Sequence, residues 1–525
     1  MPTGLPAIVL GGALCVWGTL CFLAMVVVVR RTAVPAGAND RDAALRILRN
    51  AAVPIVSQLF VRGVDLAVAL VLLRLLGPEG NGQYAVAVVA WLYVKTISDF
   101  GLSVLGAREI ARDPSQAGRT IGETTVVRWI ILFATAAPLG ALTLAGVVGG
   151  TLSSTSAAAL CLLYVSIIPS SYAEAVSSAF AGLERLALAA WVNIVVNLFR
   201  APLVIALAAS SLAVIGVALA AVGAACYSAC AFHVARKRLI AGPTTWHLPK
   251  QRLSWYLREG WPLLVNSLLV SLFFRVDVFI VQVLRGDTAL GIYDAAFKFI
   301  NLLTIVPAYA ILAVFPLMVR RSDDPAGLRA AQTRTTYLLT TVAWAVVVGA
   351  TALASPAILL LAGRAYMPDA VELLRILVWF APLSFVNGVT QYVLIARGEQ
   401  RRLLPAFAAA VAFNFAANAA LVPVLGATAA AINTVLTEVV IAVAFWLATR
   451  RTVFPAFSGA VLTPLWKPSL AGTMSAAAAL YLRDSTLLSA GVGGGMFLLL
   501  CWLFGVVGPG ERELARTVLR RRAGA

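Results

Sequence analysis

Charge is scarce in this sequence. Lys, Arg, Asp and Glu make up 12% of its 525 residues, about half the share of a soluble globular chain. There are two histidines, His233 and His247, which leaves little for imidazole acid–base catalysis. The six cysteines, Cys15, Cys21, Cys161, Cys226, Cys230 and Cys501, all lie in apolar segments. Cys226 and Cys230 sit one helical turn apart, but no second Cys or His pair completes a zinc site, so they read as small apolar packing residues. No G-x-x-x-x-G-K-[ST] motif occurs, which excludes direct drive by ATP through such a loop. The alternating segments of a membrane β-barrel are missing as well. Asp323-Asp324 is the one adjacent acid pair, and it lies in a short basic loop. A metal-dependent membrane glycosyltransferase or polymerase would need such a pair in a sizeable aqueous loop, so a solvated loop is the better reading. No cofactor and no metal are expected.

Apolar residues dominate instead, at 61% of the chain. They recur in blocks of 20 or more residues, each long enough to cross a ~30 Å hydrocarbon core as a helix. Lipid leaves no water to satisfy the backbone, so such a chain folds as a helical bundle. The expected class is an all-α polytopic membrane protein. A first run covers about 8–29, followed by Arg30 and Arg31; residues 1–7 carry no Lys or Arg, which favours a membrane helix over a cleaved signal, with a fold starting near Asp40 as the alternative. Fourteen further spans are expected at about 50–76, 82–107, 122–149, 153–181, 187–209, 212–235, 260–284, 290–318, 333–362, 370–396, 402–423, 427–449, 468–482 and 486–508.

The net charge is +18. If the span at 50–76 starts in the cytoplasm, inner loops and tails hold 31 of the 41 Lys and Arg, and outer loops hold only Arg74, Arg285, Arg364 and Arg483. This asymmetry follows the positive-inside rule and accounts for the basicity without nucleic acid. It places the chain in the cytoplasmic membrane with its C-terminus inside. The expected organisation is an added helix and linker at 1–40, a six-helix lobe at 41–240, a cytoplasmic interfacial linker at 241–259, a second six-helix lobe at 260–450, and two C-terminal helices with a basic tail at 451–525.

The two lobes share a pattern. Gly77-x4-Gly82-x-Tyr84 recurs as Gly286-x4-Gly291-x-Tyr293, offset by 209 residues, and Arg62 and Asp65 upstream of the first correspond loosely to Arg275 and Asp277 upstream of the second. An even number of spans separates the copies, so the lobes are related by a pseudo-two-fold along the membrane normal, a geometry that permits alternating access. The glycines read as turns and close approaches rather than as ligand contacts.

With these residues in hand, the chain resembles the oligosaccharide flippases. These form the Wzx-like polysaccharide transporter branch of the multidrug/oligosaccharidyl-lipid/polysaccharide (MOP) superfamily. The stretches that carry the resemblance are SDFGLSVLGAREIARDP at 98–114, LVNSLLVSLFF at 264–274 and FFRVDVFIVQVLRGDTALGIYDAAFKFINLLTIVPAYAILAVFPLMVRR at 273–321. It implies two six-helix lobes around a central cavity, two further C-terminal helices, and a polyprenyl-diphosphate-linked oligosaccharide moved from the inner to the outer leaflet. It also implies glycosyltransferases and a polysaccharide polymerase as partners. A lipid II flippase and a cation-coupled multidrug exporter are the alternatives within transport.

Ionisable groups at bilayer depth are functional candidates by default. Lys95/Asp99 and Asp294/Lys298 at i,i+4, and Arg62/Asp65 at i,i+3, have spacings that allow pairing on one helix face. Arg275 and Asp277, two residues apart, point to different sides. Arg200 has no acid near it on its own helix. Arg and Lys are the natural receptors of a diphosphate, so Arg62, Arg200, Arg275 and Lys298 are the candidate cavity residues. Asp65, Asp99, Asp277 and Asp294 either couple transport to H⁺ or Na⁺ or balance the cations. Asn387, Gln391, Asn414, Asn418 and Asn433 are expected to bridge helices rather than to bind sugar hydroxyls.

Overall fold

The computed structural model describes residues 40–240, 242–452 and 454–506. The expected helix at about 8–29 and the basic tail lie outside the described residues. Among those residues all regular elements are helical, and ten helical stretches are long and apolar enough to cross a membrane. By its contacts the chain divides into two units, Met1–Gly291 and Ile292–Ala525.

The first unit comprises α1 (Asp40–Asp99), α2 (Leu102–Arg112), α3 (Ala117–Val148), α4 (Ser154–Gly182), α5 (Leu186–Ala208), α6 (Ala213–Leu239), α7 (Lys250–Arg275) and the first part of α8 (Asp277–Leu303). Two of these helices bend at the repeated turns. Gly77 (φ 67°) breaks α1 and Gly286 (φ 78°) breaks α8; both take a left-handed conformation that costs a residue with a Cβ. The second glycine of each turn has a different task. A Cβ on Gly82 would fall inside the carbonyl of Asp287, and one on Gly291 inside the carbonyl of Pro78. The two turns thus press backbone to backbone, and Asn81 Nδ2 donates to the Gly291 carbonyl at 2.8 Å. Their packing is reciprocal, as a two-fold relation between the repeats requires.

The body of the first unit rests on small residues. Ala173, Ala175 and Ala179 of α4 share a buried cluster with Ala231 and Ala235 of α6, and Phe180 and Phe232 complete it. Without a hydrophobic driving force between helices in lipid, such close backbone approach supplies the van der Waals contact that holds them. The linker after α6 packs against the first turns of α3. Gly118 and Gly122 leave no room for a Cβ beneath the carbonyls of Pro243 and Thr245, and Trp246 stacks on Trp129 with ring centroids 5.7 Å apart and planes at 5°.

The second unit continues from α8 with α9 (Ile305–Arg320), α10 (Pro325–Leu361), α11 (Asp369–Leu377), α12 (Phe380–Ala396), α13 (Leu403–Leu425), α14 (Ala427–Thr449), α15 (Gly459–Leu462), α16 (Trp466–Tyr481) and α17 (Thr486–Leu503). Asp324 caps α10 by accepting from the Gly327 N–H at 3.0 Å, which gives half of the adjacent acid pair a structural task. Gly472 of α16 lies where a Cβ would enter the Trp344 ring of α10, and Ser489 Oγ of α17 donates to the Ala479 carbonyl of α16 at 2.7 Å.

Candidate functional site

The charges at membrane depth in the first unit pair across helices more than along them. Asp65 of α1 meets the Arg200 guanidinium of α5, and Asn197, one turn earlier on α5, donates to the same carboxylate oxygen at 3.2 Å. Arg62 takes no part; it is exposed and forms no ion pair among the described residues. Lys95 reaches Glu174 of α4 at 2.7 Å and lies over the Trp91 ring, 5.1 Å from its centroid. Asp99 accepts from Arg128 of α3 at 2.8 Å and from Ser103 at 2.6 Å. The i,i+3 partner of Asp65 and the i,i+4 partner of Asp99 are therefore replaced by cross-helix arginines. The physical reason is that one cross-helix pair neutralises a charge on each of two helices, whereas a same-helix pair leaves the neighbour's charge unanswered.

Arg128 went unrecognised in the sequence, where it counts with the basic loop residues. It is fully buried. The available signal was its place in Val126-Val127-Arg128-Trp129-Ile130, an apolar run rather than a loop. Glu123, five residues earlier, is also fully buried and was overlooked. It accepts from Arg119 at 2.7 Å, from Arg252 at 3.0 Å and from the Tyr256 hydroxyl at 3.1 Å. This network ties the start of α7 to α3.

Arg275 and Asp277 flank the junction of α7 and α8. Asp277 is buried and Arg275 half-buried, and the Tyr93 hydroxyl of α1 lies within electrostatic reach of both. Of the expected cavity cations, Arg200 pairs with Asp65 and Arg62 does not, and Arg275 neighbours Tyr93. Lys298 belongs to the second unit, where it pairs with Asp294 at 2.8 Å in a nearly buried setting. Burial, and next the nearby Asp294 carboxylate, push the Tyr366 phenol well above its usual value, so it stays neutral.

The asparagines of the second unit bridge. Asn414 donates to Thr437 at 3.0 Å, Asn418 to Asn414 Oδ1 at 2.8 Å, and Asn433 to Asn418 Oδ1 at 3.1 Å, which joins α13 to α14. Asn387 of α12 donates to Glu438 of α14 at 2.8 Å on the carboxylate and 2.9 Å on the backbone carbonyl. Glu438 is buried and has no ion pair among the described residues.

Membrane-length helices, a repeated glycine turn at reciprocal positions and charges paired within long apolar helices define a polytopic helical membrane protein. The family model described as "Polysaccharide biosynthesis protein" matches residues 47–322, more than half of the chain, and the chain belongs to that family. A second family model, MatE, matches residues 262–421. No curated protein sequence matches the chain at a significant level. Among solved structures, the lipid II flippase MurJ in an inward closed conformation shares the fold with a TM-score of 0.64 at 13% identity, over 86% of this chain and 98% of MurJ. An inward-facing multidrug resistance MATE family transporter of the MOP superfamily gives 0.58 at 18% identity, over 83% and 99% of the two chains. The eukaryotic MATE transporter AtDTX14 gives 0.50 at 14% identity, over 79% and 99%. The fold is that of the MOP superfamily, and the chain is a transporter of that class rather than an enzyme.

Proposed function

We propose that this protein flips a polyprenyl-diphosphate-linked oligosaccharide from the inner to the outer leaflet of the cytoplasmic membrane by alternating access, during cell-surface polysaccharide biosynthesis. The family match to polysaccharide biosynthesis proteins supports this substrate class. The observation that supports an anionic headgroup is Arg62, a cation on a membrane helix with no acid partner among the described residues. Arg200, Arg275 and Lys298 are the further receptors in this reading. Asp65, Asp99 and Asp294 balance cations in the resting molecule, since each sits against Arg200, Arg128 or Lys298. Asp277, buried beside the junction of α7 and α8, is a further candidate for H⁺ or Na⁺ coupling or for charge balance. Glycosyltransferases and a polymerase would supply and consume the substrate. A lipid II flippase is the second reading, favoured by the shared fold with MurJ over nearly the whole of that chain.

The test is a reconstituted flipping assay on the full chain with lipid-linked oligosaccharide and lipid II offered in parallel. Arg62→Ala is expected to slow oligosaccharide flipping about tenfold, the loss of one charge-assisted contact to phosphate. Normal rates in Arg62→Ala and in Arg275→Ala/Lys298→Ala would sink the basic-cavity reading. Preference for lipid II would move the substrate to the second reading.

A further inference from the structure

The second unit carries a surface feature that the transport reading does not use. Near the start of α10 a cavity of about 740 Å³ opens between that helix and the α15–α16 segment. Its polar lining is Arg329, Thr333, Arg334, Tyr337 and Lys467, with no carboxylate. Arg329 is already engaged: it donates to the Pro455 carbonyl at 2.6 Å and lies 3.7 Å over the Phe454 ring. Arg334 and Lys467 make neither ion pair nor hydrogen bond among the described residues. Two cations without an ion pair among the described residues thus face one cavity with no carboxylate in its described lining, at the end of a membrane helix that the charge asymmetry assigns to the cytoplasm.

Farther along the same helix lies a second cavity, of about 570 Å³, with Trp344, Trp379, Trp446, Leu462 and Leu465 among its walls. The two cavities share one face of α10. Thr333 and Tyr337 line the first, and Thr340 and Trp344 the second, at steps of four, three and four residues, the spacing of a single helical stripe. From Thr333 to Trp344 the helix rises about 16 Å, close to the thickness of one leaflet's hydrocarbon. Basic at the headgroup level and apolar for one leaflet inward, this stripe matches the shape and charge of an inner-leaflet lipid.

We propose that this face of the second unit is a binding site for an anionic phospholipid, with its phosphate on Arg334 and Lys467 and an acyl chain along Tyr337, Thr340 and Trp344. A free anion would use the basic end alone and gain nothing from the tryptophan-walled cavity. A zwitterionic lipid would bring its own cation to two others. Basic pockets between membrane helices on the cytoplasmic side are an established setting for anionic headgroups. The proposal does not depend on what the transporter carries.

The test is native mass spectrometry of the full chain, purified in detergent, titrated with phosphatidylglycerol, phosphatidylcholine, inorganic phosphate and undecaprenyl diphosphate. The expected result is one phosphatidylglycerol bound in preference to phosphatidylcholine. Arg334→Ala/Lys467→Ala should weaken it about thirtyfold, the effect of two basic residues at an anionic surface. Arg334→Lys/Lys467→Arg should retain it. Unchanged melting temperature in lipid-free detergent separates loss of the site from loss of the fold; the single variants Arg334→Gln and Lys467→Gln serve if the double variant melts early. Equal affinity for the two phospholipids, or no effect of removing both charges, overturns the proposal. So does competition by inorganic phosphate, which would mark a simple anion site. Displacement by undecaprenyl diphosphate at lower concentration, dependent on the same two residues, would assign the site to a polyprenyl substrate instead. These readouts are binding constants, so a failed flipping assay leaves them intact.

Discussion

Arg128 and Asp99 show what a buried charge does at the residue scale. Arg128 is fully enclosed, and Asp99 and Ser103 answer its guanidinium. Removing one partner of a buried ion pair strands the other, at a cost of about 3–5 kcal/mol. Asp99→Leu is therefore expected to lower stability by that order, while Asp99→Leu/Arg128→Leu recovers most of the loss because no charge is left stranded. Thermal unfolding in detergent of the two singles and the double reads the coupling directly; additive losses would show that the pair is not energetically linked. Glu438 and Asn387 make a quieter version of the same arrangement, in which an amide rather than a cation meets a buried carboxyl group.

At the scale of the element, the repeated turns are the most telling feature. Their first glycines supply left-handed backbone and their second glycines supply contact, Gly82 against Asp287 and Gly291 against Pro78. A Val at position 82 would drive a side chain into a carbonyl, and overpacking of this kind costs about 1–3 kcal/mol or more. Gly82→Val should accordingly lower the melting temperature and the yield of folded protein. Gly63→Ala, at a site with nothing within 4 Å, should change neither. Equal effects of the two substitutions would show that the turn-to-turn contact does not matter. The turn motif was legible in the sequence because G-x4-G-x-Y recurs at a fixed offset. That the two copies touch was not, since 209 residues separate them and no local pattern encodes a tertiary contact.

For the whole molecule, the distribution of Lys and Arg makes a claim about orientation that labelling can check. Asp113 and Ser115, in the loop between α2 and α3, should face the cytoplasm, and Arg364, between α10 and α11, should face outward. Single cysteines placed at 115 and 364 in a cysteine-free background should react differently with a membrane-impermeant maleimide on intact cells. Position 364 should label at once and 115 only after permeabilisation. The reverse pattern would invert the topology and with it the leaflet assigned to every basic loop. The same orientation puts the Arg334–Lys467 cavity on the inner leaflet, so the experiment bears on the phospholipid site as well.

Length and polarity of the apolar blocks determined by themselves that this is a polytopic helical membrane protein, because lipid offers a spanning backbone almost no other solution. The charge asymmetry, the glycine turns and the bridging role of Asn414, Asn418 and Asn433 were likewise written locally. The pairing of the deep charges was not. Spacing along one helix put Asp99 with Lys95 and Asp65 with Arg62, and the tertiary structure gave Asp99 to Arg128, Lys95 to Glu174 and Asp65 to Arg200. Helical periodicity says which residues share a face, but only packing decides which neighbouring helix that face meets. Under low dielectric, the partner delivered by packing is the one that answers the charge.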